Sequence, residues 1–200
     1  MPSQLLLATG AAPPAAPFGF FRRRIVSVGS FIIATDPLDD ALIAQLLPNR
    51  RNYVTSKNIG NYFRLAPDNR LIFGGRARFA ISDPRSDLKS GRILEEVMGD
   101  IFPALKGVGV SHVWGGMVDL PADRLPRAGE QDGMYYSMGY SGHGVQMATY
   151  MGQAMARVMG GDTSPNPWAG LDWPSVPGHF GKPWFLPMVG LWYKWQDLIH

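Results

Sequence analysis

The stretch from Met134 to Gly161 reads MYYSMGYSGHGVQMATYMGQAMARVMGG and contains three structural signals in succession. Met134 to Met138 is typical of a short β-strand because it is apolar and carries two tyrosines. Gly139 to Gly144 holds three glycines, which indicates a turn. Apolar residues then recur at helical spacing until Gly160-Gly161 ends the pattern. The stretch therefore predicts a strand, a glycine-rich turn and a helix.

The predicted helix has a stripe of apolar and small residues that we expect to be buried. Its members are Val145, Ala148, Met151, Gly152, Met155, Val158 and Met159. The small side chains of Ala148, Gly152 and Ala156 favour a close approach to a sheet. At the start of the helix, the glycine-rich turn leaves unpaired N–H groups at the positive end of the helix dipole. Such a site suits an anion or a carbonyl oxygen, although an ordinary tight turn before a packed helix gives the same pattern.

The first half of the chain reads as strands joined by turns. Gln4 to Thr9 predicts a buried strand, and the alanine and proline stretch from Ala11 to Pro17 predicts a loop. Arg24 to Thr35 predicts a long strand, in which Gly29 marks a bulge or a close backbone approach. Asp36-Pro37 is expected to open a short helix through Leu46, because proline suits the first helical position.

The middle of the chain predicts a hairpin and a helix. Asn61 to Leu65 and Arg70 to Gly75 flank a Pro-Asp-Asn turn signal, and we expect Val108 to Val118 to be the partner strand of this hairpin. Ser86 or Asp87 is expected to cap a helix with apolar positions at helical spacing. These positions are Leu94, Val97, Met98, Ile101 and Phe102. The pattern predicts an α+β fold, mixed but built mainly on antiparallel strand pairs.

Composition excludes several classes of function. The 200 residues contain no cysteine, which excludes disulfides, thiolate nucleophiles and cysteinyl bonds to a cofactor. The net charge is +3 with a pI of 9.3, but lysine and arginine are scattered, so we predict no nucleic-acid partner. No signal peptide and no integral membrane segment are indicated. The expected location is cytoplasmic.

Several motifs in a fixed order resemble the D-amino-acid oxidase superfamily of FAD-dependent oxidoreductases. Within it, the likeness is greatest to the gamma-glutamylputrescine oxidase and glycine or sarcosine oxidase branch. The motifs are Leu7-Ala8-Thr9-Gly10, the strand from Val28 to Thr35, Tyr62-Phe63-Arg64 with Phe73-Gly74-Gly75, Trp114-Gly115-Gly116, Asp123-Arg124-Leu125-Pro126 and the turn from Gly139 to Gly144.

The resemblance implies non-covalent FAD and a flavin site on the glycine-rich turn. The residues implied to bind the cofactor are Ala8, Thr9, Gly10, Arg124, Pro126, Gly139, Ser141, Gly142, His143, Gly144, Val145 and Gln146. It implies catalysis of C–N bond oxidation by hydride transfer from an amine or amino acid to flavin. His143 is the implied catalytic residue, with a satisfied polar histidine as the alternative.

The resemblance also implies substrate-binding residues, which are Tyr62, Arg64 and Trp114. Core packing explains the two aromatic residues equally well, and an exposed strand position is the better explanation of Arg64. Arg78, a second candidate for a substrate carboxylate, is explained in the same way. We expect Asp119 and Asp123 to lie in a solvated loop. No metal site is predicted.

The implied domains are four. Residues 1–23 would be a remnant of the FAD-binding domain, 24–118 the substrate-binding domain that covers the flavin, 119–163 the C-terminal FAD-binding segment, and 164–200 an aromatic-rich tail. The tail is expected to form a helix from Met188 to Leu198 and to pack on the body of the chain or on a missing half. A membrane surface or a partner chain is the alternative.

Two features depart from the family pattern. Gln146 stands where the sarcosine oxidase branch carries lysine after its Gly-His-Gly turn. No Gly-x-Gly-x-x-Gly fingerprint occurs, so the implied fold is glutathione-reductase-like without its N-terminal Rossmann βαβ unit. We expect the isolated chain to be cofactor-free and to need a chain that supplies this half. A catalytically inactive fragment or an interaction subunit is the alternative function.

Overall fold

The computed structural model describes residues 4–12, 18–162 and 166–199, and these form two compact units. The first unit contains residues 1–28 and 117–184, and the second contains 29–116 and 185–200. The predicted loop from Ala11 to Pro17 lies largely outside the described residues. Among the described helices, none is both long and apolar enough to cross a lipid bilayer.

The first unit is built on a three-stranded sheet with the order β1-β8-β7. Its elements are β1 (Leu6–Leu7), α1 (Gly19–Arg22), β7 (Arg127–Gln131), β8 (Met134–Met138) and α4 (Gly144–Met159). Strand β1 pairs in parallel with β8, which pairs antiparallel with β7. One small core surrounds Phe21 and Trp173, and another packs α4 on the sheet through Met151 and Met155.

The second unit is built on a five-stranded sheet with the order β3-β4-β5-β2-β6. Its elements are β2 (Val26–Pro37), α2 (Asp40–Leu46), β3 (Tyr53–Val54), β4 (Asn61–Leu65), β5 (Arg70–Gly75), α3 (Pro84–Ile101), a 3₁₀ turn (Pro103–Leu105), β6 (Val110–Leu120) and α5 (Leu186–Ile199). The first three residues of β2 and the last four of β6 belong to the first unit. The core of the second unit brings Phe31, Ile33 and Phe73 of the sheet against Leu94 and Met98 of α3. The fold therefore combines helices with sheets that contain antiparallel strand pairs, as the sequence predicts.

Local signals predicted several elements correctly. The hairpin β4–β5, strand β8 and helix α4 have the expected positions, and α5 includes the predicted segment from Met188 to Leu198. Gly29 is a close backbone approach, because its N–H donates to Ala80 O at 2.7 Å and an added Cβ would lie 2.6 Å from that oxygen. Only glycine fits there without displacing the neighbouring segment at Ala80.

The predicted helix starts were wrong. Pro37 ends strand β2, and α2 begins at Asp40 because the Asp39 carboxylate accepts the N–H of Leu42 at 2.7 Å. Helix α3 begins at Pro84, where the Asp83 carboxylate caps two first-turn N–H groups. In both cases the N-cap residue is an aspartate whose carboxylate accepts N–H groups of the first turn. This cap, rather than the predicted residue, determines where the helix starts.

Two strand predictions also need correction. Only Leu6–Leu7 of the predicted strand from Gln4 to Thr9 pairs, and Leu7 alone is buried, because this strand lies at the edge of its sheet. Strand β6 was expected to pair with the hairpin, but its neighbour is β2. The hairpin and β6 therefore lie on opposite sides of β2, with β5 as the hairpin strand that contacts β2.

The buried face of α4 is narrower than predicted. Met151 and Met155 are fully buried, whereas Val145 is 91% exposed and Ala148, Gly152 and Ala156 are exposed as well. Periodicity identified residues that share a helix surface but assigned too wide an arc to the sheet. The small residues therefore form an exposed face within the described chain.

Candidate functional site

The candidate site lies in the first unit, where β1 and β8 end. Because the two strands are parallel and pair as Leu6 with Tyr135, their carboxyl ends share one edge of the sheet. The predicted segment Ala8–Gly10 follows one strand and the glycine turn Gly139–Gly144 follows the other. Open α/β sheets bind ligands at such an edge.

Asp119 joins the two segments. Its carboxylate accepts the N–H of Gly139 at 2.6 Å and that of Tyr140 at 3.2 Å, and its main-chain oxygen accepts the N–H of Ser141 at 3.0 Å. A Cβ added at Gly10 would lie 3.8 Å from the same carboxylate. The side chain is therefore a buried support beneath the turn, so the predicted solvated loop was wrong for Asp119. Asp123 is exposed in a loop, as predicted.

The environment of Asp119 also changes its acidity. Burial raises the pKa of this carboxyl, because the charged form loses its water, and the backbone N–H groups offset only part of that effect. Burial of the charged carboxylate therefore costs free energy, while its hydrogen bonds fix the conformation of the turn.

The glycine turn is packed on one side and open on the other. Gly139 has φ +80°, and an added Cβ would lie 2.6 Å from Pro121 Cγ, so the turn is held against that proline. Gly142 has φ +94° and nothing lies within 4 Å of an added Cβ. Ser141 is buried and also has a positive φ of 55°. The backbone is consequently shaped to leave space above Gly142.

Helix α4 starts immediately after this open space. His143 is its N-terminal cap residue, but its side chain makes no capping hydrogen bond. The first N–H with a partner in the helix is that of Met147, which donates to His143 O at 3.2 Å. The amides from Gly144 to Gln146 thus precede the intrahelical bonds. Their dipoles suit an electron-rich oxygen, so these residues fit a carbonyl group of a planar cofactor.

A third predicted segment, Arg124-Leu125-Pro126, lies beside the turn in the loop formed by residues 121–126. We call residues 121–126 the ring loop. Arg124 is exposed with φ +61°, and its N–H donates to Pro121 O at 3.1 Å. The oxygen of Leu125 would lie 3.6 Å from a Cβ at Gly139. The structure therefore brings Arg124 and Pro126 together with the other cofactor-binding predictions at one edge of the sheet.

The predicted substrate residues lie in the second unit. Phe63 and Val113 pack in the core of that unit, so the alternating neighbours Tyr62, Arg64 and Trp114 occupy the opposite sheet face. The Tyr62 hydroxyl contacts Ser30 Oγ at 2.9 Å. Trp114 is on β6, three strands away from β4, which corresponds to roughly 14 Å. The residues share a face without forming one cluster, and all three are exposed rather than core.

Sequence reasoning missed Asp119, Asp123 and Arg127. Arg127 is almost completely buried and pairs with the carboxylate of Asp123. An aspartate inside the apolar run Val118-Asp119-Leu120 was an available signal, because aspartate is depleted in strands. The contact of Asp119 with Gly139 is separated by 20 positions, and no local pattern indicates it.

Comparison with known proteins agrees with these observations. Residues 3–158 match the family model described as FAD dependent oxidoreductase. A probable oxidoreductase OrdL of Haemophilus influenzae is 33% identical over 179 residues, which cover 87% of this chain and 40% of that protein. The gamma-glutamylputrescine oxidoreductase of Escherichia coli is 33% identical over 141 residues, covering 70% of this chain and 32% of that protein.

Solved structures support the fold. Glycine oxidase from Geobacillus kaustophilus superposes with a TM-score of 0.62 at 16% identity, over 88% of this chain and 46% of that one. The chain spans about two fifths of the length of the first of these curated relatives. The family model covers most of the chain, including β1, the ring loop and the glycine turn. On this evidence the chain belongs to the FAD dependent oxidoreductase family, whose cofactor is FAD.

Proposed function

We propose that this chain supplies the C-terminal part of the flavin site of an oxidoreductase that acts on amines or amino acids. The observation that carries the proposal is the uncapped start of α4 beside the open space at Gly142. FAD, when bound there, would supply the acceptor for a hydride from the carbon next to the amine nitrogen, and loss of the proton on that nitrogen would leave an imine for water to hydrolyse.

The chain's own residues have distinct roles in this proposal. The amides from Gly144 to Gln146 hold the carbonyl oxygen where negative charge collects on reduction. Segment Ala8–Gly10 and the ring loop line the cofactor beside them. His143 is exposed at the same turn, and its imidazole could form a hydrogen bond with the flavin or the substrate. Tyr62, Arg64 and Trp114 offer aromatic and cationic contacts to a substrate.

The ADP-binding part of the site requires a dinucleotide-binding βαβ segment, from the same protein or from a partner chain. Two observations support such a partner. Strand β1 lies at the edge of its sheet, so it can accept another strand. The exposed small residues Ala148, Gly152 and Ala156 allow close packing on α4. A glutathione-reductase-like sheet would result, and the domain boundaries expected from the sequence stay a prediction.

Complementation tests this function. The chain is produced alone and together with the part of the Escherichia coli gamma-glutamylputrescine oxidoreductase that this chain does not match, and both samples are purified with FAD. We expect flavin absorbance only in the complemented sample, with bleaching when a suitable amine is added without oxygen. A folded, associated and colourless complex would contradict the proposal.

A substitution at Val145 localises the flavin in that complex. Val145 is 91% exposed at the first turn of α4, so Val145→Asp preserves packing and favours the helix dipole by about 0.5 kcal/mol. The same carboxylate repels the electron-rich side of the cofactor. We expect Val145→Asp to weaken flavin retention at least tenfold, whereas the isosteric control Val145→Thr retains it. Equal retention would place the cofactor elsewhere.

The alternative function, an inactive chain that serves as an interaction subunit, has one supporting observation. Helix α5 exposes an apolar stripe that is typical of contact surfaces. Its members are Met188, Leu191, Trp192, Trp195, Leu198 and Ile199, each at least 51% exposed. This function predicts association without flavin in the same complementation experiment.

A further inference from the structure

Arg127 is a charged side chain that is almost completely buried. It stands at the start of β7 with 2% of its side chain exposed. Withdrawing a guanidinium from water costs several kcal/mol unless its hydrogen bonds are replaced. A buried arginine therefore indicates that specific acceptors hold it, and the identity of those acceptors indicates its role.

The acceptors of Arg127 belong mainly to the ring loop. Nη1 donates to Leu125 O at 2.9 Å and to Pro126 O at 3.3 Å. Nη2 donates to the carboxylate of Asp123 and to Asp172 O at 2.7 Å. The guanidinium thus binds three residues of the ring loop and connects them to Asp172, which is 45 positions away in the sequence. Lysine cannot reproduce this fork of donors.

The ring loop needs such support. Arg124 adopts φ +61°, a left-handed conformation that is unfavourable for a residue with a Cβ atom. The loop also forms one wall of the glycine turn, because Pro121 and Leu125 both lie against Gly139. A change in the loop conformation would therefore alter the surface beside the turn.

We propose that Arg127 is a positioning residue that holds the ring loop, with Arg124 in its left-handed conformation, against the glycine turn. The effect on cofactor binding rests on the proposed function. The effect on the loop itself does not, because every contact involved lies within this chain. Asp123 supports the same loop, because its carboxylate accepts hydrogen bonds from Arg127 and from the N–H of Leu125 at 3.1 Å.

Amide hydrogen exchange of the full chain tests the proposal. We compare wild type, Arg127→Met and the control Arg157→Met, which removes an exposed arginine of α4. We expect the amides of Arg124 and Leu125 to exchange at least tenfold faster in Arg127→Met only. The amides of β8 report opening of the first unit as a whole, and those of Ile33 and Phe73 report opening of the second unit. Neither set should change.

A titration of Asp123 provides a second measurement. Burial would raise the pKa of Asp123, but the N–H of Leu125 and the guanidinium of Arg127 outweigh it and hold that pKa below its ordinary value. We expect the pKa, followed by carboxyl NMR, to rise in Arg127→Met. If that variant does not fold, Asp123→Asn replaces it in the exchange experiment, because it removes the charged partner and keeps the arginine.

Two results would overturn the proposal. One is wild-type exchange at Arg124 and Leu125 in the folded variants. The other is equal acceleration at these amides and throughout β7 and β8, which identifies a general stabilising residue. Neither measurement requires flavin, so a failure of the flavin proposal leaves them interpretable. Conversely, if Arg127→Met loosens the ring loop but the complex still retains flavin, Arg127 holds the loop without affecting cofactor binding.

Discussion

The glycine turn of the first unit and the exposed sheet face of the second unit are held in different ways. The turn is held by backbone contacts, since two of its N–H groups bind the buried Asp119 and Gly139 lies against Pro121. The sheet face is formed by exposed side chains, and the Tyr62 hydroxyl bonds to Ser30. We infer that the first arrangement is rigid, whereas the side chains of the second can change their conformation.

The largest effect is expected from Gly139→Ala, which attacks the turn. The substitution adds a side chain at φ +80° and places Cβ 2.6 Å from Pro121 Cγ. Strain and overlap together should lower the free energy of unfolding of the first unit by about 2 to 4 kcal/mol, measured by urea denaturation. Gly133→Ala is the control, because it has φ +76° with open space. Its cost should be about 1 kcal/mol, and equal costs would contradict the packed turn.

The same substitution in the second unit should have a smaller effect. A Cβ added at Gly74 would lie 2.3 Å from the Tyr62 ring, but this ring is the end of a 36% exposed side chain and can rotate away. We expect Gly74→Ala to lower the free energy of unfolding by about 1 kcal/mol, mainly through the lost hydrogen bond to Ser30. The double variant with Tyr62→Phe measures this, because the two costs should then not add. A cost as large as that of Gly139→Ala would show a rigid sheet face.

The comparison also explains what the sequence could predict. The glycine turn, the hairpin and α5 have local signals, because glycine, turn residues and apolar periodicity act within a few positions. The contacts that fix the turn are distant in sequence: Asp119 with Gly139, and Arg127 with Asp172 across 45 positions. Such pairs depend on how β6 and the ring loop are brought to β8, which no local pattern encodes.

The prediction of the buried face of α4 was wrong for a related reason. Periodicity indicates which residues share a surface, but burial depends on the element that covers it. Met151 and Met155 meet the sheet of the first unit, while Ala148 and Gly152 remain exposed. The sequence thus predicted a small-residue face correctly and its contact incorrectly. Under the proposed function, that face belongs to a partner segment.

The smallest expected effect is a pH dependence of opposite sign from two carboxyls, Asp119 of the first unit and Asp197 of the second. Burial raises the pKa of Asp119, so the folded first unit binds this proton more tightly than the unfolded chain does. Its stability should therefore fall as pH rises from about 3.9, the ordinary carboxyl value, to the raised folded value. In Asp119→Asn this slope should disappear.

In the second unit the sign is reversed by Asp197 on α5. Burial would raise the pKa of Asp197, but the N–H groups of Ile59 and Asn58, at 2.9 and 2.8 Å, outweigh it and lower that pKa. Its contribution should be complete above the ordinary carboxyl value and lost as pH falls through the lowered one. Amide exchange of each unit between pH 3 and 6 measures both slopes, with Asp197→Asn abolishing the second. If Asp119→Asn and Asp197→Asn change the slopes of their units in the same direction, the buried carboxylate of the turn is not held at a cost, and the contrast between the two regions would be wrong.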